Sequence, residues 1–445
     1  MRESLASVGV VRDLTNATQN AEVLTLATEL LSDPTVDVMA LDARCADPVF
    51  VAGNGPIYLE ALRAAVGRTK LQQCLGALHL SVVWAMYNET ARILPKADSE
   101  HGEDLVRAKV AQMRWLFEGT ADNQTWELLA CDDGCPESPS SSEVMQSIID
   151  ADGLGDCARV IKLVDAIAGK ADVGAGFARL RTPADSRKGG SIAYGMWFAT
   201  KQPLGAAIGA EHVVLYTDAD LSSNLAQAGS LVHAIVAEGY DSAIGQRYGL
   251  SGSILVKEEG AITEPRSTGA KPSRNILLLR HFARVVLLPR LATVLDTQAG
   301  FKAFKKDVLD QVLTDMNAFS ETFDVELMLR NALRGSEQPC ALVPMLFTED
   351  FVLTNFPSVD PGQQHLDMIQ QIVGIHDACV GDVEPALGEA ADLLAFFREL
   401  DLPRYQRLLD NLEALDKTGI DDPNLFDRRW TIGELRRYAD HAVTN

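Results

Sequence analysis

Residues 212–220 read His-Val-Val-Leu-Tyr-Thr-Asp-Ala-Asp. A short β-branched and apolar run passes directly into two carboxylates one residue apart. Such a run, too short for a helix, predicts a buried strand that ends on the acids. Two upstream segments repeat the pattern. Residues 79–86 (His-Leu-Ser-Val-Val-Trp-Ala-Met) predict a strand ending at Tyr87-Asn88-Glu89. Residues 126–131 (Trp-Glu-Leu-Leu-Ala-Cys) predict another, ending at Asp132-Asp133-Gly134-Cys135. Helical spacing fills 103–117, 144–150, 192–200 and 225–238, and further short strands are expected at 178–181 and 242–245. Strands alternating with helices predict an α/β unit with a mostly parallel sheet flanked by helices on both faces. Ligands bind such sheets at the carboxyl ends of the strands, so the acids found there are the candidate functional residues.

Outside this unit the chain changes character. Residues 1–77 predict a helix at 23–31, strands at 36–41 and 49–52, a Gly-Asn-Gly-Pro turn at 53–56 and a helix at 57–66. This is a small N-terminal α/β accessory segment without a chemical motif. Residues 250–275 are rich in Gly, Ser, Pro and charge and are expected to form a mobile loop. From 356 to 445 the chain turns helical and acidic, with apolar spacing at 393–400 and 405–415, and reads as a C-terminal helical appendage. The middle, 78–355, is the expected catalytic domain.

Composition narrows the function. With 62 Asp and Glu against 40 Lys and Arg in 445 residues, the net charge is −22. A polyanion of this strength repels nucleic acid and anionic membrane surfaces. No apolar run approaches the ~20 residues of a membrane span, and the N-terminus lacks an apolar signal core. A cytoplasmic protein with no transmembrane segment is expected, and the sequons at Asn16, Asn88 and Asn123 are then chance matches. The seven cysteines form no Cys-x-x-Cys pair, and Cys131 and Cys135 lack a second pair for zinc; reduced thiols are expected. A homo-oligomer is compatible with the sequence.

The strand-end acids suggest specific chemistry. Asp218 and Asp220 can hold Mg²⁺ or Mn²⁺, which favour oxygen ligands and keep positions open for substrate phosphates. Such an ion neutralises a diphosphate leaving group. Residues 186–191, Ser-Arg-Lys-Gly-Gly-Ser, open a helix, and a helix start with two glycines and a cation suits an anion. Each piece alone is also an ordinary turn, cap or surface loop. Together, three of them at strand ends, they are improbable as coincidence.

The order Tyr-Asn-Glu, Asp-Asp-Gly, Lys-Gly-Gly, Asp-x-Asp resembles glycosyltransferase family 2, the inverting enzymes with a GT-A fold. Gly245-Gln246-Arg247 looks like that family's Gly-Ser-Arg. Residues 296–304 (Asp-Thr-Gln-Ala-Gly-Phe-Lys-Ala-Phe) resemble the Asp-Thr-Gln-Cys-Gly-Phe-Lys-Leu-Phe stretch of the dolichyl-phosphate β-glucosyltransferase branch, and Phe-Asp-Val-Glu-Leu at 323–327 matches its counterpart there. The resemblance spans roughly 78–355. Cys135 departs from it, standing where the family usually has Ser.

The resemblance implies a GT-A-like, Rossmann-type sheet and a set of roles. Asp132 would contact the nucleotide base, with Tyr87 and Glu89 lining the same pocket and Asp133 shaping it. Lys188 and the Gly189-Gly190 backbone would lie near the nucleotide or its diphosphate. Asp218 and Asp220 would bind metal and donor, Asp220 more directly. Gln298 and Gly300 would shape the donor-sugar pocket. Asp324 would be the general base on the acceptor side, with Glu326 nearby. The implied activity is a metal-dependent, inverting transfer of sugar from a UDP- or GDP-sugar to a soluble acceptor. A base is needed to deprotonate the acceptor hydroxyl, and positive charge to stabilise the departing diphosphate.

Other readings make different demands. A polyprenyl-phosphate acceptor would use the apolar stretch 275–295, which Arg280, Arg284 and Arg290 interrupt. Arg266, Lys271 and Arg274 could instead clamp a phosphate or carboxylate on a soluble acceptor. A sugar-phosphate nucleotidyltransferase would carry a Gly-rich loop with Arg and Lys where this chain has Tyr87-Asn88-Glu89. A non-catalytic nucleotide-sugar-binding protein would not need Asp218, Asp220, Asp324 and Glu326.

Overall fold

The computed structural model describes residues 11–169, 173, 175–257, 262–263, 274–291, 293–349, 361–381, 386–416 and 430–441. Capping side chains decide the first helices. Asn16, Asp37 and Asp47 each accept backbone N–H bonds at a helix start, which satisfies donors the helix itself leaves unpaired. They open α1 (Ala17–Ser32), α2 (Val38–Ala43) and α3 (Pro48–Ala52), the last with Pro48 at its first position. Pro56 opens α4 (Pro56–Leu71). The strands expected at 36–41 and 49–52 are therefore wrong. The valines suggested extended chain, but an acidic cap just ahead of each run favours helix, and the described segment is helical throughout.

The alternating unit follows as β1 (Leu78–Met86), α5 (Thr90–Ile93), α6 (Leu105–Phe117), β2 (Gln124–Asp132), α7 (Ser141–Asp152), β3 (Ala158–Lys162), α8 (Leu163–Ile167), α9 (Gly189–Lys201), β4 (Glu211–Tyr216), α10 (Ala228–Val236) and β5 (Ser242–Gln246). The strand β3 was not anticipated. The strand expected at 178–181 is absent, because a 3-10 turn over Ala175–Arg179 buries Phe177 and Leu180 instead. Beyond β5 come β6 (Ile254–Lys257), β7 (Ile262–Thr263), α11 (Arg274–Val286), β8 (Lys302–Lys305), α12 (Lys306–Val312), α13 (Phe323–Leu333), β9 (Ala341–Pro344) and β10 (Leu346–Glu349). The C-terminal helices are α14 (Pro361–Cys379), α15 (Glu389–Arg398), α16 (Leu402–Asp416) and α17 (Ile432–Asp440). Of the stretch expected as a loop, β6 and β7 join β10 in a small three-stranded sheet; 258–261 and 264–273 lie outside the described residues, Arg266 and Lys271 among them.

The main sheet has seven strands in the order β3-β2-β1-β4-β8-β5-β9. Every neighbouring pair is parallel except those of β8, which runs antiparallel to both β4 and β5. This is the mostly parallel, helix-flanked α/β sheet expected. The pairings Met86↔Asp132 and Val83↔Tyr216 bring the carboxyl ends of β1, β2 and β4 side by side. Because β8 is reversed, its start, Lys302, pairs with Tyr216. The loop leading into β8 therefore arrives at the same edge as Asp218.

One face of the sheet is covered by α9, with Ile192 and Met196 in a cluster with Val83, Tyr216 and Phe304. The other face packs Leu80, Val82 and Trp84 in one cluster with Leu59, Leu62 and Val66 of α4 and Leu231 of α10. The crossing of α4 is close. A Cβ on Gly229 would stand 2.0 Å from the Gly67 carbonyl oxygen, and one on Gly67 would stand 2.2 Å from the Ala226 oxygen. Gly229→Ala should destabilise the protein by about 1–3 kcal/mol through this overlap, read as a lower urea midpoint at unchanged slope. The apolar side of α11 (Leu278, Phe282, Val286) is buried against Ile369, Phe396, Phe397 and Leu408 of the C-terminal helices. No helix among the described residues is long and apolar enough to cross a membrane.

At the opposite ends of the strands the register gathers a buried polar cluster. His79 pairs with Thr125 and His212, and Ser81 with Glu127. The Ser81 hydroxyl donates to Glu127 at 2.7 Å and lies 2.9 Å from His212 Nε2. Burial first, and then the neighbouring His79, push the pKa of His212 down to about 4 from 6.5. Between those values the unfolded chain binds a proton that the native state refuses, so stability falls as pH falls through this window. The contribution is at most about 3 kcal/mol. Urea denaturation at pH 7 and at pH 4.5 should show the loss, and His212→Gln should flatten it.

Candidate active site

Past the end of β4 the Thr217 N–H still bonds the Val83 carbonyl at 2.9 Å, and the chain then turns through Asp218-Ala219-Asp220. Side chains from beneath shape this turn. Lys109 of α6, fully buried, donates to the main-chain oxygens of Asp218 (3.3 Å) and Asp220 (2.8 Å). Glu103 accepts the Leu221 N–H at 2.8 Å, and Gln112 accepts the Leu225 N–H at 2.9 Å. Glu103 also pairs with Arg92 at 3.2 Å, and Arg92 pairs with Glu89 at 3.0 Å. Burial, with Asp220 close by, pushes Glu103 up to about 8. Burial also raises the pKa of Glu89, against the pull of Arg92. Glu89 is thus held within the wall of the site, while Tyr87 stands at the rim, 45% exposed.

The Asp132 turn is self-contained. One carboxylate oxygen accepts the N–H groups of Gly134 (2.8 Å) and Cys135 (2.9 Å), and the other accepts the Ser142 hydroxyl. Asp133 reaches across to the next element. It accepts the Lys188 N–H at 2.7 Å and the Ser191 hydroxyl at 2.6 Å. Arg187 and Lys188 sit at φ 41° and 84°, a backbone region unfavourable for side-chain-bearing residues, and Asp133 helps hold them there. The result is that the Lys188 ammonium lies on the Asp218 carboxylate. Burial works against that charge, but Asp218, Asp220 and Asp324 outweigh it and raise the Lys188 pKa.

The helix start at Gly189 differs from expectation. A Cβ on Gly189 would stand 2.6 Å from the carbonyls of Phe319 and Ser320, so the glycine serves a close backbone crossing. The Gly190 N–H bonds the Phe319 oxygen, and the Ser191 N–H bonds Ser186. Both N–H groups are therefore already paired, and the Lys188 ammonium supplies positive charge at this helix start. Gly300 lies directly under the Asp218 carboxylate: a Cβ there would stand 2.4 Å from Asp218 Oδ2 and would push that side chain aside. Gln298 is half-buried in the same loop, with its amide 3.5 Å from the Glu321 oxygen.

Asp324 and Glu326 part company. Asp324, near the start of α13, is buried, and its Oδ2 accepts the Lys302 ammonium at 3.0 Å. Lys302 also donates to the Tyr216 hydroxyl at 3.0 Å and to the Ala299 carbonyl. Asp324 Oδ1 has no hydrogen-bond partner among the described residues. Burial raises the Asp324 pKa despite Lys302 and Lys188. Glu326 lies two residues on, about 200° around the helix. It accepts the Asn317 and Ala318 N–H groups and pairs with Arg330 at 2.7 Å. None of these partners belongs to the cluster around Asp218, so the structure does not bring Glu326 to it. Its bonds are those of a buried anchor for the loop at 317–318.

A second charged group borders Asp324. Arg247 grips Asp296 through two 2.7 Å contacts, and the Tyr248 hydroxyl donates to the same carboxylate at 2.9 Å. Arg280 of α11 is buried 3.5 Å from Asp296, and its Nε and Nη1 have no hydrogen-bond partner among the described residues. Sequence reasoning did not anticipate Lys109, Glu103, Lys302 or the Asp296 cluster. Asp296, Lys302 and Arg247 stood within the quoted motifs without a role, and the signal for Lys109 was charge at an otherwise apolar helix position. An open groove of about 530 Å³ elsewhere, lined by Arg179, Asn317, Arg330 and Arg334, holds none of these residues. Among the described residues no three His, Cys, Asp or Glu side chains form a ready metal cluster.

No protein-family model matches the sequence, and no curated protein does. Among solved structures the chain is similar to glucosyl-3-phosphoglycerate synthase of Mycobacterium tuberculosis, at 16% identity over 70% of this chain and 84% of that one, with a TM-score of 0.41. It is similar to the same synthase in complex with Mn²⁺, UDP-glucose and phosphoglyceric acid, at 17% identity over 69% and 83%, TM-score 0.41. It is also similar to S. aureus TarS 1–349 in complex with UDP-GlcNAc, at 11% identity over 79% and 91%, TM-score 0.34.

Proposed function

We propose that this chain is a glycosyltransferase of the family 2 kind, moving sugar with inversion from a UDP- or GDP-sugar onto a soluble acceptor. The observation that carries the reading is one ammonium, Lys188, held on Asp218 within charge reach of Asp220 and Asp324, at the adjoining carboxyl ends of β1, β2 and β4. The reading is supported by tertiary contacts that join Lys188 to Asp218 and Lys302 to Asp324.

In this reading the Asp132 turn and Tyr87 receive the base, and Lys188 faces the diphosphate. Asp218 and Asp220 hold Mg²⁺ or Mn²⁺. The residues fit such an ion. The Lys188 ammonium already stands where positive charge is wanted, and the Asp220 carboxylate accepts the Ser222 N–H at 3.1 Å. Burial and then the like charge of Asp218 raise the Asp220 pKa, a penalty that a divalent ion relieves. Mg²⁺ is commonly held by one or two carboxylates with substrate phosphates completing its shell. When bound, the ion adds to the charge that neutralises the leaving diphosphate. Asp324 takes the acceptor proton at Oδ1 while Lys302 fixes Oδ2. Two nitrogens of buried Arg280, Nε and Nη1, without a hydrogen-bond partner among the described residues, favour an acceptor bearing a phosphate or carboxylate, because buried donors seek partners. A lipid acceptor is less favoured, since the apolar side of α11 is covered by protein. All seven cysteines are free, which suits a reducing cytoplasm.

The test is a thermal-shift screen of UDP, GDP, CDP, ADP and TDP and their sugars, with and without Mn²⁺ or Mg²⁺. A ligand that binds only the native state raises the melting temperature. One nucleotide acting only with metal is expected; no shift with any nucleotide, in folded protein, overturns the reading.

A further inference from the structure

The N-terminal helices carry no chemical motif, yet one of their side chains reaches the acidic loop. Glu60, in the middle of α4, is 2% exposed. Its Oε1 accepts the Asn224 amide at 2.8 Å, and its Oε2 accepts Arg12 Nε at 2.7 Å. Arg12, also buried, is fixed in turn by the Asn20 side chain (2.7 Å) and the Asp13 carbonyl (2.9 Å). At the other end of the chain of contacts, Asn224 Oδ1 accepts the Ala226 N–H at 2.9 Å and caps the 3-10 turn Leu225–Gln227. Asn224 thus closes the loop that Asp220 opens, and within that loop the Ser222 N–H bonds the Asp220 carboxylate.

A buried ion pair is a poor way to add stability, because desolvation offsets most of the attraction. What this one does add is direction. It holds a single amide in a single orientation, on the loop that carries the two strand-end carboxylates. The glycine crossing of α4 over Ala226 keeps that spacing short.

We infer that Glu60 is a positioning residue for the cation site, acting through Asn224 on the loop that begins at Asp218 and Asp220, and that the helices from 17 to 71 belong to the catalytic unit rather than to an accessory segment. The inference rests on the reading of Asp218 and Asp220 as ligands of a divalent cation. Loss of Glu60 frees the Asn224 amide and slackens the loop beside Asp220. Lys109, Glu103 and Gln112 still tie the loop to α6 and its approach.

The experiment titrates the full-length protein with Mn²⁺ in the presence of UDP, following free Mn²⁺ by electron paramagnetic resonance, with thermal melts alongside. Glu60→Ala should weaken Mn²⁺ binding about tenfold or more, the usual scale for groups that orient metal ligands. Asn224→Ser keeps an oxygen to cap Ala226 but loses the amide, and should weaken binding to a similar degree. The double variant should be no weaker than the worse single variant, because both act through one bond. Leu26→Ala, a cavity in α1, should lower the melting temperature and leave Mn²⁺ affinity unchanged. If Glu60→Ala does not fold, Asn224→Ser carries the test. Wild-type affinity in the Glu60 and Asn224 variants overturns the inference. So does an equal loss in Leu26→Ala. Wild-type protein that binds no Mn²⁺ with UDP overturns the reading of the carboxylates, and the inference with it.

Discussion

Asp324→Asn should leave metal-dependent nucleotide binding intact and lower sugar transfer by about 10²–10⁴-fold, the usual contribution of a general base. The substitution conserves shape, and its side-chain oxygen still accepts from Lys302. It removes the basicity of Asp324 Oδ1, which has no hydrogen-bond partner among the described residues. Donor binding should survive because Asp324 contributes only long-range charge to Lys188, while Asp218 holds the ammonium directly. The pH profile gives an independent reading. Burial raises the Asp324 pKa above 3.8, so the active, ionised form is lost as pH falls through that raised value. Transfer by wild type should decline there, and the residual rate of Asp324→Asn should not. Because burial outweighs Lys302 in raising the Asp324 pKa, the neutral side chain should leave the melting temperature at or above that of wild type. The turnover loss must be read on protein shown to be folded at the assay temperature. Transfer at the wild-type rate would remove Asp324 as the base.

How much of this was legible in the sequence depends on how local each feature is. Strands running into acids are local, and β1, β2 and β4 ended where their composition said. The helical N-terminus was legible too, in Asp37 and Asp47, but valine spacing was given more weight than the caps. Glu326 could have been set aside by helix geometry alone, since residues two apart cannot share a face. What sequence could not supply is tertiary reach. Lys109 is a lysine inside an apolar helix pattern until the loop at 218–220 folds over it. Lys302 looks like an ordinary strand residue until the reversal of β8 sets it beside Tyr216 and Asp324. That Asp133 bonds the strained backbone at Lys188 was likewise beyond the reach of its strand-end position in the sequence.

That same network makes the two strand-end aspartates unequal, and Asp220→Ala should separate them. In the ligand-free protein Asp218 is already neutralised by Lys188, which lowers its pKa against the effect of burial. Asp220 has no such ion pair among the described residues; burial and Asp218 raise its pKa, with Arg92 only partly compensating. The ionised Asp220 carboxylate is therefore an electrostatic liability to the protein without a cation. Sign follows from linkage: an acid whose native pKa is raised disfavours the fold once pH exceeds that pKa. Removing it should leave the ligand-free melting temperature at or above that of wild type. The metal-dependent shift produced by the nucleotide should vanish, because Asp218 alone, still occupied by Lys188, is a weak cation ligand. Asp218→Ala should instead keep a reduced shift, since Asp220 and the released Lys188 can still meet metal and phosphate. A full metal-dependent shift in Asp220→Ala would sink the assignment of Asp220 as the principal ligand. A lost shift with a sharply lower ligand-free melting temperature would show that the residue holds the turn rather than the ion.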